Sequence, residues 1–139
     1  MKILLAVDGS PCTQKMLAYL TEHVETWEDS KFTAVTVDPP LPPRARSMVG
    51  KDIANSFHEK SAAKVLDPVT RFFDEHDIKL KTAFLVGPPG ETIAKYAESG
   101  KFDLVMMGSH GKTALGNLVM GSVATKVLAN CKVPVLLIR

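Results

Sequence analysis

The residues with the most chemical potential lie in one stretch, Gly108-Ser109-His110-Gly111-Lys112-Thr113, followed downstream by Gly121-Ser122. Glycine followed by Lys-Thr suggests the phosphate loop G-x-x-x-x-G-K-[ST]. That motif would need a glycine at position 106, where the chain has Met106. A phosphate loop of that spacing is therefore excluded. Gly108 and Gly111 still permit close backbone approach and positive φ, both useful around a phosphate. Alone, they would serve equally well to turn a strand into a helix. Gly121-Ser122 shifts the balance, because it opens another helix from the same segment. A helix N-terminus offers free N–H groups and positive partial charge, and Ser122 adds a hydroxyl. Lys112 and Thr113 fit two roles: neutralising a terminal phosphate and helping to hold magnesium, or standing as solvated loop residues. An imidazole on so tight a loop, His110, suits bonding to the backbone better than catalysis.

Asp8 supplies a carboxylate at the end of the first apolar run. It can accept hydrogen bonds from a ribose, as in dinucleotide folds, or fix the turn that follows. Three segments end comparably: Ala6-Val7-Asp8, Thr36-Val37-Asp38 and Met107-Gly108-Ser109. Other candidates fail on spacing. His58-Glu59-Lys60-Ser61-Ala62 begins like a zinc-protease helix but has alanine where the second histidine belongs. Asp74, Glu75, His76 and Asp77 are consecutive and fan around a helix end, so they read as a solvated terminus. There is neither a G-x-S-x-G elbow nor a C-x-x-C pair.

Alternating strands and helices must position these residues. Ile3 to Val7 is a short apolar run expected to be a strand buried on both faces. Gly9 allows a tight turn, Ser10 can cap a helix and Pro11 suits its first position. Met16, Leu17, Leu20, Val24 and Trp27 recur at helical spacing. Phe32 to Val37 is the next strand, and the prolines from Pro39 to Pro43 then predict a stiff, exposed connection reaching Gly50. A helical pattern resumes near Asp52, with a kink or break expected at Pro68. Leu80 to Val86 is a strand suited to a sheet edge, and Gly87-Pro88-Pro89-Gly90 leads into a helix carrying Ile93, Tyr96 and Ala97. Phe102 to Met107 is a buried strand. A helix follows Ser122, and Val133 to Ile138 is the last strand, placed at an edge by Pro134. Five strand-helix alternations predict an α/β fold, an open parallel sheet with helices on both faces. Ligands in such folds bind at the carboxyl ends of the strands.

The chain has 139 residues, 45% hydrophobic and 23% charged, with a net charge of +2. This suits one domain spanning 1–139 and offers no basic surface for nucleic acid. The first apolar run is too short for a signal peptide, and nothing approaches a membrane span, so the expected compartment is the cytoplasm with no membrane association. Cys12 and Cys131 then read as reduced, buried thiols.

The spacing Gly108-x2-Gly111-x9-Gly121-Ser122 resembles the nucleotide-binding signature of the universal stress protein family. "KILLAVDGS", "FDLVMMGSHG" and the closing "VPVLLIR" resemble that family too, and the similarity spans the chain apart from the proline-rich connection. The resemblance implies a five-stranded sheet of order 3-2-1-4-5, like that of the adenine nucleotide α-hydrolases. It implies ATP at the carboxyl edge, with AMP or ADP as alternatives and Mg2+ accompanying the phosphates. Carried over by position, Asp8 meets the ribose and Val37 meets adenine through its backbone. Gly108, Ser109, Gly111, Gly121, Ser122 and Val123 surround phosphates and ribose. Ala6 and Val7 form the floor, with Met107 and His110 nearby. A homodimer through the last strand is also implied, consistent with its apolar edge. Three readings follow: a nucleotide-dependent regulator in the stress response, a slow ATPase or phosphotransferase, and a dimeric scaffold needing no ligand. The intact glycine pattern favours the first over the third. The lack of a water-positioning constellation or nearby arginine favours it over the second, and no residue is assigned as catalytic.

Overall fold

The computed structural model describes residues 1–112 and 119–139. Thr113, one of the two residues left open above, lies outside them. The elements in chain order are β1 (Lys2–Ala6), α1 (Pro11–Glu22), α2 (Val24–Trp27), β2 (Lys31–Asp38), α3 (Pro43–Glu75), β3 (Leu80–Val86), α4 (Pro89–Ser99), β4 (Leu104–Gly108), α5 (Ser122–Asn130) and β5 (Val135–Ile138). The strands form one sheet of order β3-β2-β1-β4-β5, with every pairing parallel. This is the expected α/β order, with β3 and β5 at the edges.

Period-two alternation in the strands divides the core between the two faces of the sheet. From β1 and the residue after it, Ile3, Leu5 and Val7 pack with Met16 of α1 and with Val69 and Phe73 of α3. Leu4 and Ala6 point to the other face, where they join Ile93 and Ala97 of α4 and Val127 of α5. The central strands thus hold their carboxyl ends in one layer while helices cover both sides. Among the described residues, no helix is long and apolar enough to cross a membrane.

Four local expectations change. The connection after β2 is not irregular up to Gly50: helical structure begins at Pro43, whose fixed φ suits a first turn. The break in α3 falls at Gly50, with φ 79° and ψ 168°, and not at Pro68. Pro68 is exposed while Val65, Leu66 and Val69 are buried, so the carbonyl it leaves unbonded faces water and the helix runs on. Val24 does not extend the apolar stripe of α1; the chain turns at His23 and Val24 is half exposed in α2. Cys12 and Cys131 are free but only partly buried.

Candidate functional site

A cleft of about 330 Å3 opens at the carboxyl edge of the sheet. Ala6, Val7 and Asp8 enter it from the end of β1, and Val37 from β2. Met107, Gly108, Ser109, His110 and Gly111 enter from β4 and the loop beyond it. Gly121, Ser122 and Val123 close the far wall at the start of α5. All twelve residues singled out from sequence therefore line one cavity, although they come from four separate segments.

Asp8 holds the turn and also faces the cleft, so the two roles left open for it are compatible. Its Oδ1 accepts a hydrogen bond from the Ser10 backbone N–H at 2.9 Å and another from Thr13 Oγ1 at 3.3 Å. Its Oδ2 faces Gly111 so closely that a Cβ there would lie 2.9 Å from it. Ser10 does occupy the N-cap position, but its side chain makes no capping bond and its buried Oγ has no partner. The Asp8 carboxylate, accepting the Ser10 N–H and the Thr13 hydroxyl, ties the end of β1 to the first turn of α1.

The glycines act through close approach. Among the described residues, the glycines with positive φ are Gly9 and Gly50, so of the two freedoms that Gly108 and Gly111 permit the structure uses close approach. A Cβ at Gly108 would collide with the Cys12 side chain of α1, and one at Gly111 would crowd Asp8. Gly9, at φ 73°, turns the chain from β1 into α1, and the Lys112 side chain lies over it, Nζ 3.7 Å from where a Cβ would stand. Lys112 also lines the cleft and is the only Lys or Arg among its described lining residues.

Ser109 joins three elements. Its N–H donates to Ile138 O of β5 at 2.8 Å, its carbonyl accepts from Gly121 N–H at 2.7 Å, and its Oγ is 2.9 Å from His110 Nδ1. The imidazole thus engages its neighbour's hydroxyl. Gly121 has ordinary extended geometry, φ −72° and ψ 159°, and among the described residues no side chain caps α5. Ser122, Val123 and Ala124 of the first turn of α5 line the cleft, at the positive end of the helix dipole.

Sequence reasoning missed Pro39, Pro89, Ile93 and Ala124, which also line the cleft. Three strand ends were compared, whereas a fourth contributes: Pro88-Pro89 after β3 starts α4 beside the cavity, with Ile93 one turn further on. The proline pair at a strand end was the available signal. The Asp38–His58 pair beside the cleft was missed as well; Nδ1 and Oδ2 stand 3.1 Å apart.

The model of the universal stress protein family matches residues 1–139. The chain belongs to the universal stress protein family. Among family relatives, MJ0531 of Methanocaldococcus jannaschii is 27% identical over 144 residues, covering 99% of this chain and 81% of that one. A universal stress protein of Thermus aquaticus is 30% identical over 142 residues, covering 99% and 97%. Slr1230 of Synechocystis is 31% identical over 138 residues, covering 99% of this chain, which spans only 42% of Slr1230's length. The sequence match to MJ0577 of M. jannaschii takes in 54% of that protein. The solved structure of MJ0577 superposes with a TM-score of 0.77 at 28% identity, covering 99% of this chain and 94% of that one. The Archaeoglobus fulgidus universal stress protein in complex with dAMP gives 0.71 at 20%, covering 100% and 98%. An Arabidopsis thaliana family protein with AMP bound gives 0.68 at 16%, covering 99% and 90%. At those last two identities the likeness establishes the universal stress protein fold alone.

Proposed function

We propose that this chain is a cytoplasmic regulatory protein of the stress response that binds ATP in the cleft, with slow or absent turnover. The observation that carries this reading is the convergence of Asp8, Lys112, the Gly108–Gly111 loop and the N-terminus of α5 on one cavity. An anion is favoured beside the helix N-terminus and the lysine, and a ribose hydroxyl can donate to Asp8 Oδ2. The apolar wall of Val37, Ile93 and Met107 suits a base. Family neighbours solved with AMP and dAMP support an adenine nucleotide. Among the described residues, no group of three His, Cys, Asp or Glu side chains is placed to hold a metal. Mg2+ would therefore be held chiefly by phosphate oxygens and water. A lone lysine without an arginine offers little stabilisation of a phosphoryl-transfer transition state, which favours a binder over a catalyst.

Calorimetry on nucleotide-stripped protein tests the reading. MgATP should bind more tightly than adenosine, and at about a hundredfold over Kd should stabilise the fold by about 2.7 kcal/mol, a shift of several degrees in Tm. Gly121→Val should lose most of that shift and still fold. A Cβ there meets Ser109 O at 3.2 Å and His110 Cα at 3.3 Å, so the larger side chain displaces the 109–111 loop. Its φ of −72° is open to any residue. Absence of ATP binding to the stripped wild type would end this reading in favour of a scaffold. Rapid Mg2+-dependent phosphate release that disappears with Gly121→Val would make the protein an enzyme.

A homodimer through β5 belongs to the same proposal. The strand pairs with β4 on one side only, and Val135, Leu136 and Leu137 are partly exposed. A two-fold partner would cover that edge.

A further inference from the structure

The proline-rich connection after β2 touches the nucleotide cleft only through Pro39. Pro40, Pro42 and Pro43 are exposed, and Leu41 is half-buried. Proline fixes its own φ and holds the residue before it extended, which here constrains Pro39, Leu41 and Pro42 in turn. Pro42 shows the result, with φ −51° and ψ 142°. A polyproline II segment repeats every three residues, so Pro39 and Pro42 share one ridge of it. The strap then runs into the first turns of α3. No residue from 43 to 49 is buried, and the buried residues of α3 begin at Ala54, beyond the break at Gly50. Strap and first turns therefore stand open to a partner of domain size.

Charge specifies that partner further. Arg44, Arg46 and Lys51 are exposed, and among the described residues none of them pairs with a carboxylate. Arg46 and Lys51 line an open groove beside the prolines, and no acidic residue lines it with them. The first turn of α3 holds no acidic residue either. Cations at the positive end of a helix dipole work against the helix, so the two arginines serve the fold poorly and suit an acidic surface outside it. The spacing Pro39-x-x-Pro42 is the one that aromatic-lined grooves read in polyproline segments. The arginines after it call for carboxylates at one end of such a groove. We propose that the segment 39–46 is a docking site for a partner protein domain with an aromatic-lined groove rimmed by carboxylates. The strap is already rigid, so little ordering accompanies its capture. This interaction does not rest on the nucleotide reading.

The probe is an isotope-labelled SH3 domain that takes P-x-x-P-x-Arg peptides, titrated with the full chain and followed by NMR. Saturable shifts at micromolar concentration, confined to its aromatic groove and acidic rim, are expected. Pro42→Ala removes one proline of the ridge and should weaken binding at least about tenfold. It keeps the carbonyl that accepts the Arg46 N–H, so α3 should still start at the same place. Arg44→Glu combined with Arg46→Glu should weaken binding by at least about tenfold too, and added salt should weaken the wild type. Both variants change exposed side chains and should keep the wild-type melt and MgATP response, so failure here leaves the nucleotide reading standing, and the reverse. Absence of saturable shifts, shifts outside the groove, or wild-type binding by Pro42→Ala would each overturn the proposal. Sedimentation of the chain with phosphatidylglycerol vesicles, in place of SH3 binding, would overturn it in favour of a lipid surface.

Discussion

His58 Nδ1 lies 3.1 Å from Asp38 Oδ2, pairing the middle of α3 with the last residue of β2. The imidazole is 7% exposed and the carboxylate 18%. Asp38 follows Val37, which lines the cleft, and its carbonyl accepts the Gly87 N–H at 2.9 Å. The pair therefore fixes the end of β2 at the point where the adenine is expected. His58→Phe keeps the ring volume but strands the carboxylate, and should cost about 1–3 kcal/mol in denaturant unfolding. ATP should bind a few-fold more weakly although His58 does not line the cleft. Affinity equal to wild type would reduce the pair to a purely structural tie.

Gly111→Ala should weaken MgATP binding more than it weakens the fold. The new Cβ would stand 2.9 Å from Asp8 Oδ2, so the carboxylate or the loop must move. The fold should lose no more than about 1–3 kcal/mol, because the collision is local and half exposed. Calorimetry beside a thermal melt separates the two effects, and an unchanged Kd would show that neither group holds the nucleotide.

Pro68→Ala should stabilise the protein. Proline within a helix costs about 3 kcal/mol relative to alanine, and here it sits on the exposed side of α3, where replacement creates no clash. A gain on the order of 1–3 kcal/mol in urea unfolding is expected. A loss would mean that α3 depends on the proline, against its exposed position.

The β5 edge can be tested without removing the strand. Ser109 N–H and Val105 N–H donate to Ile138 O and Pro134 O, so the alternation turns the Val135 N–H outward. Val135→Pro removes an outward donor and should convert a dimer to monomer in light scattering with the circular dichroism intact. Deleting Val135 to Arg139 is less informative, since Ile138 is buried and its carbonyl anchors Ser109. A clean monomer mass for the wild type at micromolar concentration would remove the dimer.

The strands, their parallel arrangement and the cleft at their carboxyl ends were legible from the chain alone. Apolar runs such as Ile3–Val7, strand–turn–helix junctions such as Val7-Asp8-Gly9-Ser10, and the glycine spacing from Gly108 to Gly121 are local patterns, set by backbone geometry and burial over a few residues. What tertiary structure decided is what depends on contact between distant segments. Gly108 and Gly111 serve by letting Cys12 and Asp8 approach closely, not by a positive φ. Pro68 is tolerated because packing leaves its side of α3 to water, and α3 breaks at Gly50, where φ is 79°. Asp38 and His58, twenty residues apart, meet only when α3 lies against β2, and spacing alone does not encode that distance. Side-chain partners follow from how the helices pack on the sheet, and that packing sums many weak contacts that no short motif records.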